Sequence, residues 1–511
     1  MTAPARGAQR GMVTVCAMSA TIMQALDTTI ANVALPHMQG SLSASLDQIN
    51  WVLTSYIVAA AVMTAPIGWI AERFGRKRLF LISVAGFTLA SMLCGFSQSI
   101  GQMVAFRLLQ GAFGAALVPL SQAVMLDAYS VQERGSAMAI WGVGVMLGPI
   151  MGPTLGAWLT DNYNWRWVFF INLPIGVLTV LGLLAFMRET EFDTGRRFDW
   201  FGFLALAVGL AATQLMLDRG ENAGWFDSRE ILAEALVALA GFYFFFAHSL
   251  TTASPFIRFS MFRDRNFVVG CIFMAVIGVV LFATMALVTP YMQNVVGYPI
   301  LTAGFLLAAR GGGTLVAMLI VGRLLSMVEA RYLVFCGLSL AAITLQQMEG
   351  FTDQTSSSAI IFAGVLQGFG LGLVFVPLNT VAFATLPHKL RTEGAAMLTL
   401  VRNIGSSVGI SIVIAQLTQG TIQAHARLVE FVTPFAGALD ALGPRVQFNV
   451  MTDEGRAMLD ALVSQQAAII AYSDDFRLLK FLLIATLPLI LMLGSSKTPT
   501  SSGPQVNLAL E

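Results

Sequence analysis

The sequence predicts an all-α membrane protein of about fourteen spans, and three observations carry that expectation. The 511-residue chain is 56% hydrophobic, with a mean hydropathy of +0.75. Only 11% of it is charged, against about 25% in a soluble protein. Its apolar residues fall in runs long enough to cross a bilayer, for which about 20 residues suffice. The first six runs centre near Ala25, Ala60, Phe87, Phe113, Leu147 and Leu178, two more near Ala207 and Ala240, and the last six near Val279, Gly311, Leu340, Gly370, Gly405 and Ile484. Lys and Arg are distributed unevenly between them. Loops after even-numbered runs hold Arg73, Arg76, Lys77 and Arg78; Arg188, Arg196 and Arg197; Arg258, Arg263 and Arg265; and Lys389 and Arg391. Loops after odd-numbered runs hold few, such as Arg166, Arg219 and Arg229. The basic side is expected to be cytoplasmic, with both termini on it.

The first run follows a short basic segment, Met1 to Arg10. It is too long for a signal peptide and contains Asp27, so it reads as an uncleaved first span. A carboxyl group at that depth costs about 2.5–3.5 kcal/mol on insertion scales, which makes function the default reading. At helical spacing Thr21, Gln24, Thr28 and Asn32 form a polar stripe beside Asp27. The stripe should face a water-filled cavity or other helices rather than lipid. The blander alternative is an aspartate that caps a helix break or pairs internally.

The fourth run carries Arg107 and Gln110. A guanidinium keeps its charge in a protein, so within a span it needs water or a carboxylate. Asp27 is a candidate partner, either as a working pair or as a structural one. On the fifth run Gly144, Gly148, Gly152 and Gly156 recur every fourth residue, with Pro149 and Pro153 beside them. That spacing makes a groove for a neighbouring helix backbone, and the prolines remove backbone donors. The run reads as a pivot, with static packing as the alternative.

The halves echo each other. Gly68-Trp69-Ile70-Ala71-Glu72-Arg73 after the second run is matched by Gly322-Arg323-Leu324-Leu325-Ser326 after the tenth, a faint parallel repeat. The seventh and eighth runs have no counterpart. The expected organisation is a six-helix bundle over 1–190, an inserted pair over 195–255, a second six-helix bundle over 260–495 and a cytoplasmic tail over 496–511. Arg310, followed by three glycines, and Arg402-Asn403 are intramembrane charges of the second bundle, and either contacts a substrate or holds the bundle. Asp218 and Glu349 read as interfacial. Residues 419–477 read as a long polar loop on the outer side, with helical periodicity from Gly455 to Tyr472. That loop is either a solvated hairpin or a docking surface.

Several classes are excluded. A net charge of +1 argues against nucleic acid. Cys16, Cys94, Cys271 and Cys336 lack metal-type spacing. Gly405-Ser406-Ser407-Val408-Gly409 matches a nucleophile-elbow pattern, but that pattern needs a strand-turn-helix context. There is no phosphate-cradling loop ending in Lys-Ser or Lys-Thr and no HExxH. No enzyme and no cofactor are expected, and the energy should come from an ion gradient.

Together these residues resemble a family. Leu26-Asp27-Thr28-Thr29-Ile30-Ala31-Asn32-Val33-Ala34-Leu35-Pro36 looks like the first-span motif of the fourteen-span drug:proton antiporters of the major facilitator superfamily, typified by EmrB and QacA. Gly68 through Arg78 resembles the superfamily's cytoplasmic signature, with Glu72 where Asp is usual. Arg107, Gln110 and Gly111 match its fourth-span motif. Gly148, Gly152, Pro153 and Gly156 match its antiporter motif, with Ala157 replacing the last glycine. Trp165 through Pro174 and Leu217-Asp218-Arg219-Gly220 are also similar to this branch.

The resemblance implies a major facilitator fold of two six-helix bundles plus two inserted helices, working as a proton-coupled multidrug antiporter. Asp27 and Arg107 would couple protons. One cavity would be lined by Gln24, Thr28, Asn32, Trp51, Tyr56, Gln110, Phe113, Trp141, Met285, Arg310, Arg402 and Asn403. Gly68, Glu72, Arg73, Gly75, Arg76, Gly148, Pro149, Gly152, Pro153 and Gly156 would gate it, with Glu72, Arg73 and Arg76 pairing across the bundles. The long outer loop is more similar to EmrB than to QacA. That similarity implies a Gram-negative inner membrane, a periplasmic EmrA-like adaptor and a TolC-type outer-membrane channel. The expected ligands are small hydrophobic compounds, in contact with membrane lipid. The alternatives are a dedicated exporter of one compound, such as a fatty acid or siderophore, and a non-transporting membrane sensor.

Overall fold

Short polar side chains set where the helices begin. Ser45 accepts a bond from the Gln48 amide in a capping box, Ser99 from Gln102, Asp199 from Gly202, Asp264 from Asn266 and Phe267, Ser356 from Ala359, and Thr452 from Gly455. Each satisfies amides that the first helical turn leaves without a carbonyl. Breaks have equally local causes. Pro66 follows the second helix, and the chain bends there by 57°. Gly75 and Gly224 end helices at φ +88° and +78°, where a side chain would be strained.

This computed structural model describes residues 7–130, 133–189, 195, 197–252, 254–431 and 452–493. Among them the helices are α1 (Gly7–Ser41), α2 (Leu46–Thr64), α3 (Ile67–Phe74), α4 (Arg76–Phe96), α5 (Ile100–Gly114), α6 (Leu117–Ala128), α7 (Arg134–Asn162), α8 (Trp167–Phe170), α9 (Asn172–Phe186), α10 (Trp200–Ala223), α11 (Arg229–Thr251), α12 (Arg265–Pro290), α13 (Ile300–Leu324), α14 (Ala330–Glu349), α15 (Ser357–Ala382), α16 (Arg391–Phe431) and α17 (Asp453–Thr486). Eleven helical stretches are long and apolar enough to cross a membrane, or twelve with the bent pair α2–α3. The more polar α14 and α17 fall short of that standard. Each of the fourteen expected span centres lies in a helix.

Helix pairing repeats between the halves. In the first half α1 packs on α7, α2 on α5, and α4 on both α5 and α9. In the second half α12 packs on α16, α13 on α15, and α14 on both α15 and α17. Glycines bring the partners close: a Cβ at Gly148 would run into the Ala25 backbone, and one at Gly405 into the Ala275 carbonyl. Gly405 and Gly409 therefore serve helix contact. Between the halves α7 packs on α13 and α15, while α16 packs on α2, α3 and α6. Gln122 donates to Asn379 at 2.6 Å across this seam, and Trp141 stacks on Phe375 at 5.8 Å.

The inserted pair is peripheral. The apolar windows of α10 and α11 are 33% and 22% buried, against 67% for α15. Helix α10 touches both α2 and α16, so it lies along the seam. The side chains of Thr54 and Asp218 are hydrogen-bonded there, and Ser411 donates to the Leu217 carbonyl at 3.0 Å.

One expectation needs correction. The stretch 419–477 reads as a loop, but helix continues through Phe431 and resumes at Asp453. Residues 432–451 lie outside the described residues. The two extensions pack on each other, with Ala471 next to Gly420 and His425 3.0 Å from Asp460. Hydropathy falls once a helix leaves an apolar setting, although the helix itself need not stop.

Candidate functional site

Asp27 sits in the middle of α1 with no exposed surface. Its Oδ2 accepts from Arg107 Nη1 at 2.7 Å and its Oδ1 from Gln110 Nε2 at 2.8 Å. Arg107 also donates to Gln110 Oε1 at 2.8 Å and, through Nε, to the Val52 carbonyl at 3.0 Å. Its guanidinium lies 4.3 Å from the centre of the Tyr56 ring, a cation–π contact. Gln24 Nε2 reaches the Tyr56 hydroxyl at 3.5 Å, and the Cys94 thiol donates to Gln110 Oε1 at 3.5 Å. The spacing of Arg107 and Gln110, three residues apart on α5, puts both side chains on the face that meets α1 and α2. Both charges are buried, and each is answered by the other and by hydrogen bonds, which is what a buried pair requires.

The sequence expects Asp27 to face water or other helices rather than lipid, and in this structure helices close over it.

The fifth-span glycines are the floor of the same site. A Cβ at Gly152 would meet the Thr29 side chain, and one at Gly156 would meet Ile30. Thr29 Oγ1 donates to the Gly148 carbonyl at 3.1 Å. The stripe therefore holds the segment of α1 that carries Asp27. Helix α7 runs unbroken through Pro149 and Pro153.

On the side where the loops are basic, the gate candidates form a charged network. Asp127 on α6 is bonded to Arg76 and, at 2.8 Å, to Arg391 of the second half. Glu72 pairs with Arg258 at 2.7 Å. Arg76 thus reaches the second half through Asp127, and the partner of Glu72 lies just before α12. Arg73 is half-buried nearby. Gly68 lets α3 approach Glu393 of α16 so closely that a Cβ would overlap it. The Glu189 carboxylate caps the start of α4, accepting from the Lys77 and Arg78 amides at 3.0 and 3.2 Å. Sequence reasoning missed Asp127, Arg258, Arg391 and Glu189, which are distant in the chain from the groups they hold.

The remaining candidates stand in several different surroundings. Trp51 is 37% exposed and lies 5.9 Å from Arg219 of the inserted pair. Asn32 is exposed, and Thr28 bonds its own helix at the Ala25 carbonyl. Phe113 faces Gly86 inside the first bundle. Trp141 is buried at the seam, donating to Ser121 at 3.0 Å. Met285 is half-buried on α12. In the second half Arg402 is buried, its nearest polar partner the half-buried Asn403 at 3.4 Å. Arg310 is also buried, and among the sequence candidates it alone lines a cavity of about 10 Å³ bordered by Leu306, Met348, Gly364 and Gln367. Gln367 is a further residue that sequence reasoning missed. The signal was present: Leu366-Gln367-Gly368 repeats Leu109-Gln110-Gly111.

Two helical bundles packed through matching helices, with a buried ion pair at the core of one, define a two-bundle membrane transporter. The chain matches the Major Facilitator Superfamily over residues 17–410. It is 35% identical over 476 residues to the multidrug export protein EmrB of Escherichia coli K12, covering 93% of each chain. It is 32% identical over 504 residues to the fatty acid resistance protein FarB of Neisseria gonorrhoeae, covering 98% of each. Among solved structures, the human organic anion transporter MFSD10 is similar at TM-score 0.58 and 14% identity, covering 93% of this chain and 99% of that one. The proton:xylose symporter XylE is similar at TM-score 0.58 and 13% identity, covering 94% and 96%. This chain belongs to the major facilitator superfamily, in the family of EmrB-like drug exporters. It is a multi-pass membrane protein and a secondary transporter, not an enzyme.

Proposed function

We propose that the protein is a proton-coupled exporter of hydrophobic and amphipathic compounds. The observation that carries this reading is the fully buried Asp27, paired with Arg107 and Gln110 on the helix that the α7 glycines grip. A carboxylate that must be rehydrated to exchange a proton, and that is released from its arginine only when helices part, is suited to coupling. Helix α7 touches both α1 and α13, so rocking at the seam reaches Asp27 directly. One charge crossing about 100 mV supplies about 2.3 kcal/mol. Entry of a proton from outside and its release inside would exchange with substrate moving outward. In this reading the basic side is cytoplasmic, and the network of Asp127, Arg76 and Arg391 closes it.

The protein works in a bacterial inner membrane. The paired extensions of α16 and α17 rise on the outer side, where a periplasmic adaptor of the EmrA kind and a TolC-type channel would continue the path. The names of the similar EmrB and FarB support export of several drugs or of fatty acids, and competition between unrelated compounds distinguishes a broad from a dedicated pump.

The test is substrate-induced proton release from purified protein, paired with export in proteoliposomes. Wild type releases protons and exports along an imposed gradient. Asp27→Asn inserts normally and does neither. Normal export by that variant removes Asp27 from the mechanism, and absence of proton flux in wild type returns the protein to the class of non-transporting sensors.

A further inference from the structure

Arg310 presents a charge problem that the first half does not have. It is 6% exposed, in the middle of α13, and its Nη2 makes one long bond, 3.3 Å, to the Leu281 carbonyl. Its Nε and Nη1 have no acceptor among the described residues. Gln367, fully buried on α15, donates weakly to Thr284 at 3.4 Å, and its Oε1 is likewise without a partner. Both side chains line the same small cavity, together with Val288, Leu306, Ile360 and Gly364. A guanidinium has five donors and does not discharge in a protein. Buried polar groups are nearly always satisfied, so an orphaned cation inside a membrane bundle calls for a partner.

Comparison of the halves says which partner. Gln122 and Asn379, bonded across the seam, stand 257 residues apart. The same offset carries Gln110 onto Gln367 and Arg107 onto Gly364. In the first half the guanidinium comes from the Arg107 position and a carboxylate from α1 answers it. In the second half glycine stands at that position, the guanidinium comes from α13 instead, and the uncharged Thr284, which the same offset places at the position of Asp27, accepts from Gln367 where the carboxylate accepts from Gln110. The cavity is about the volume one water needs, so the described state is shut on it. It lies beside the moving seam, because the next residue, Gly311, packs against Ile150 of α7.

We infer that Arg310, oriented alongside Gln367, is a binding site for the anionic head of an amphiphilic substrate, a carboxylate or similar group, whose apolar tail lies among the surrounding aliphatic side chains when the seam opens. Arginine suits this task because its planar fork matches a carboxylate. The inference rests on the export function proposed above and adds its substrate class.

The experiment compares dodecanoate with dodecyltrimethylammonium, which share a tail and differ in the sign of the head. Both are measured for gradient-driven export in vesicles of phosphatidylcholine alone, with wild type, Arg310→Gln, Arg310→Lys and Gln367→Leu. Arg310→Gln lowers dodecanoate export about 10- to 100-fold, the range for loss of a charged hydrogen bond, and leaves the cation's export unchanged or raised. Arg310→Lys keeps a measurable part of the anion's export. Gln367→Leu keeps the charge and raises the dodecanoate KM more than it lowers kcat. Equal loss of both substrates in Arg310→Gln together with unchanged behaviour of Gln367→Leu makes Arg310 a structural residue and overturns the inference, as does unaltered dodecanoate export. Inhibition of wild-type dodecanoate export by added phosphatidylglycerol, absent in Arg310→Gln, assigns the site to a resident lipid and also overturns it. Failure of wild type to export either compound falls instead on the export function itself.

Discussion

Gln110 and Gln367 each stand eleventh in a helix that begins after a capping serine, Ser99 in one half and Ser356 in the other. Both are fully buried, and both have a guanidinium nearby. Around Gln110 every charge is matched, because Asp27 accepts from both neighbours. Around Gln367 the guanidinium of Arg310 has donors to spare and, among the described residues, no carboxylate partner. Duplication has preserved where a polar group stands and not what answers it. A matched site suits exchange of a small ion that enters and leaves while the pair parts. An unmatched one suits a ligand that brings its own charge.

The contrast can be broken most directly at Asp27. Asp27→Asn leaves Arg107 buried without its counter-charge, and removing one partner of such a pair costs about 3–5 kcal/mol. Thermal unfolding in detergent should show that loss, alongside the loss of coupled export. Arg310→Gln should cause no comparable drop, and equal destabilisation would mean that the two guanidiniums are balanced alike.

A second variant would make the halves more similar. A side chain at Gly364 has room, since its Cβ would sit at an ordinary 3.6 Å from Arg310 Cβ. Gly364→Asp should exceed Gly364→Asn in stability by about 1.5–3 kcal/mol, the worth of a charged hydrogen bond, while abolishing export of anions. A smaller cost, about 1–3 kcal/mol for overpacking, is expected of Gly148→Ala, which drives a methyl into the Ala25 backbone. Gly364→Ala should be neutral or slightly stabilising by the same assay. The smallest effect on substrate choice should come from Asp127→Asn. It weakens the bridge to Arg76 and Arg391 by about 1.5–3 kcal/mol, changing the rate of export with the ratio of anionic to cationic substrates unaltered.

Much of this was legible beforehand. Charges are so scarce inside the apolar runs that Asp27 and Arg107 had few partners to choose from, and the structure pairs them. The glycine stripe was readable because only close backbone approach explains four glycines at that spacing. Other features were not. Trp51 and Phe113 have the composition of a cavity lining, but residue type does not say which face of a helix meets which neighbour. Trp51 faces the inserted pair and Phe113 faces α4. The partner of Glu72 depends on a fold that brings Arg258 across 186 residues. The periodicity from Gly455 to Tyr472 marks a helix that the structure contains, but the helix over 419–431 is not legible, because polarity there suggests a loop.

The 41 residues of helix α16 run without a break from Arg391, tied to Asp127, to Phe431. At 1.5 Å per residue that is a rod of roughly 60 Å, about twice the hydrocarbon thickness of a bilayer. Held to Asp127 at its base and packed on α17 at its far end, such a rod offers no break where a tilt begun at one end could be absorbed before it reaches the other.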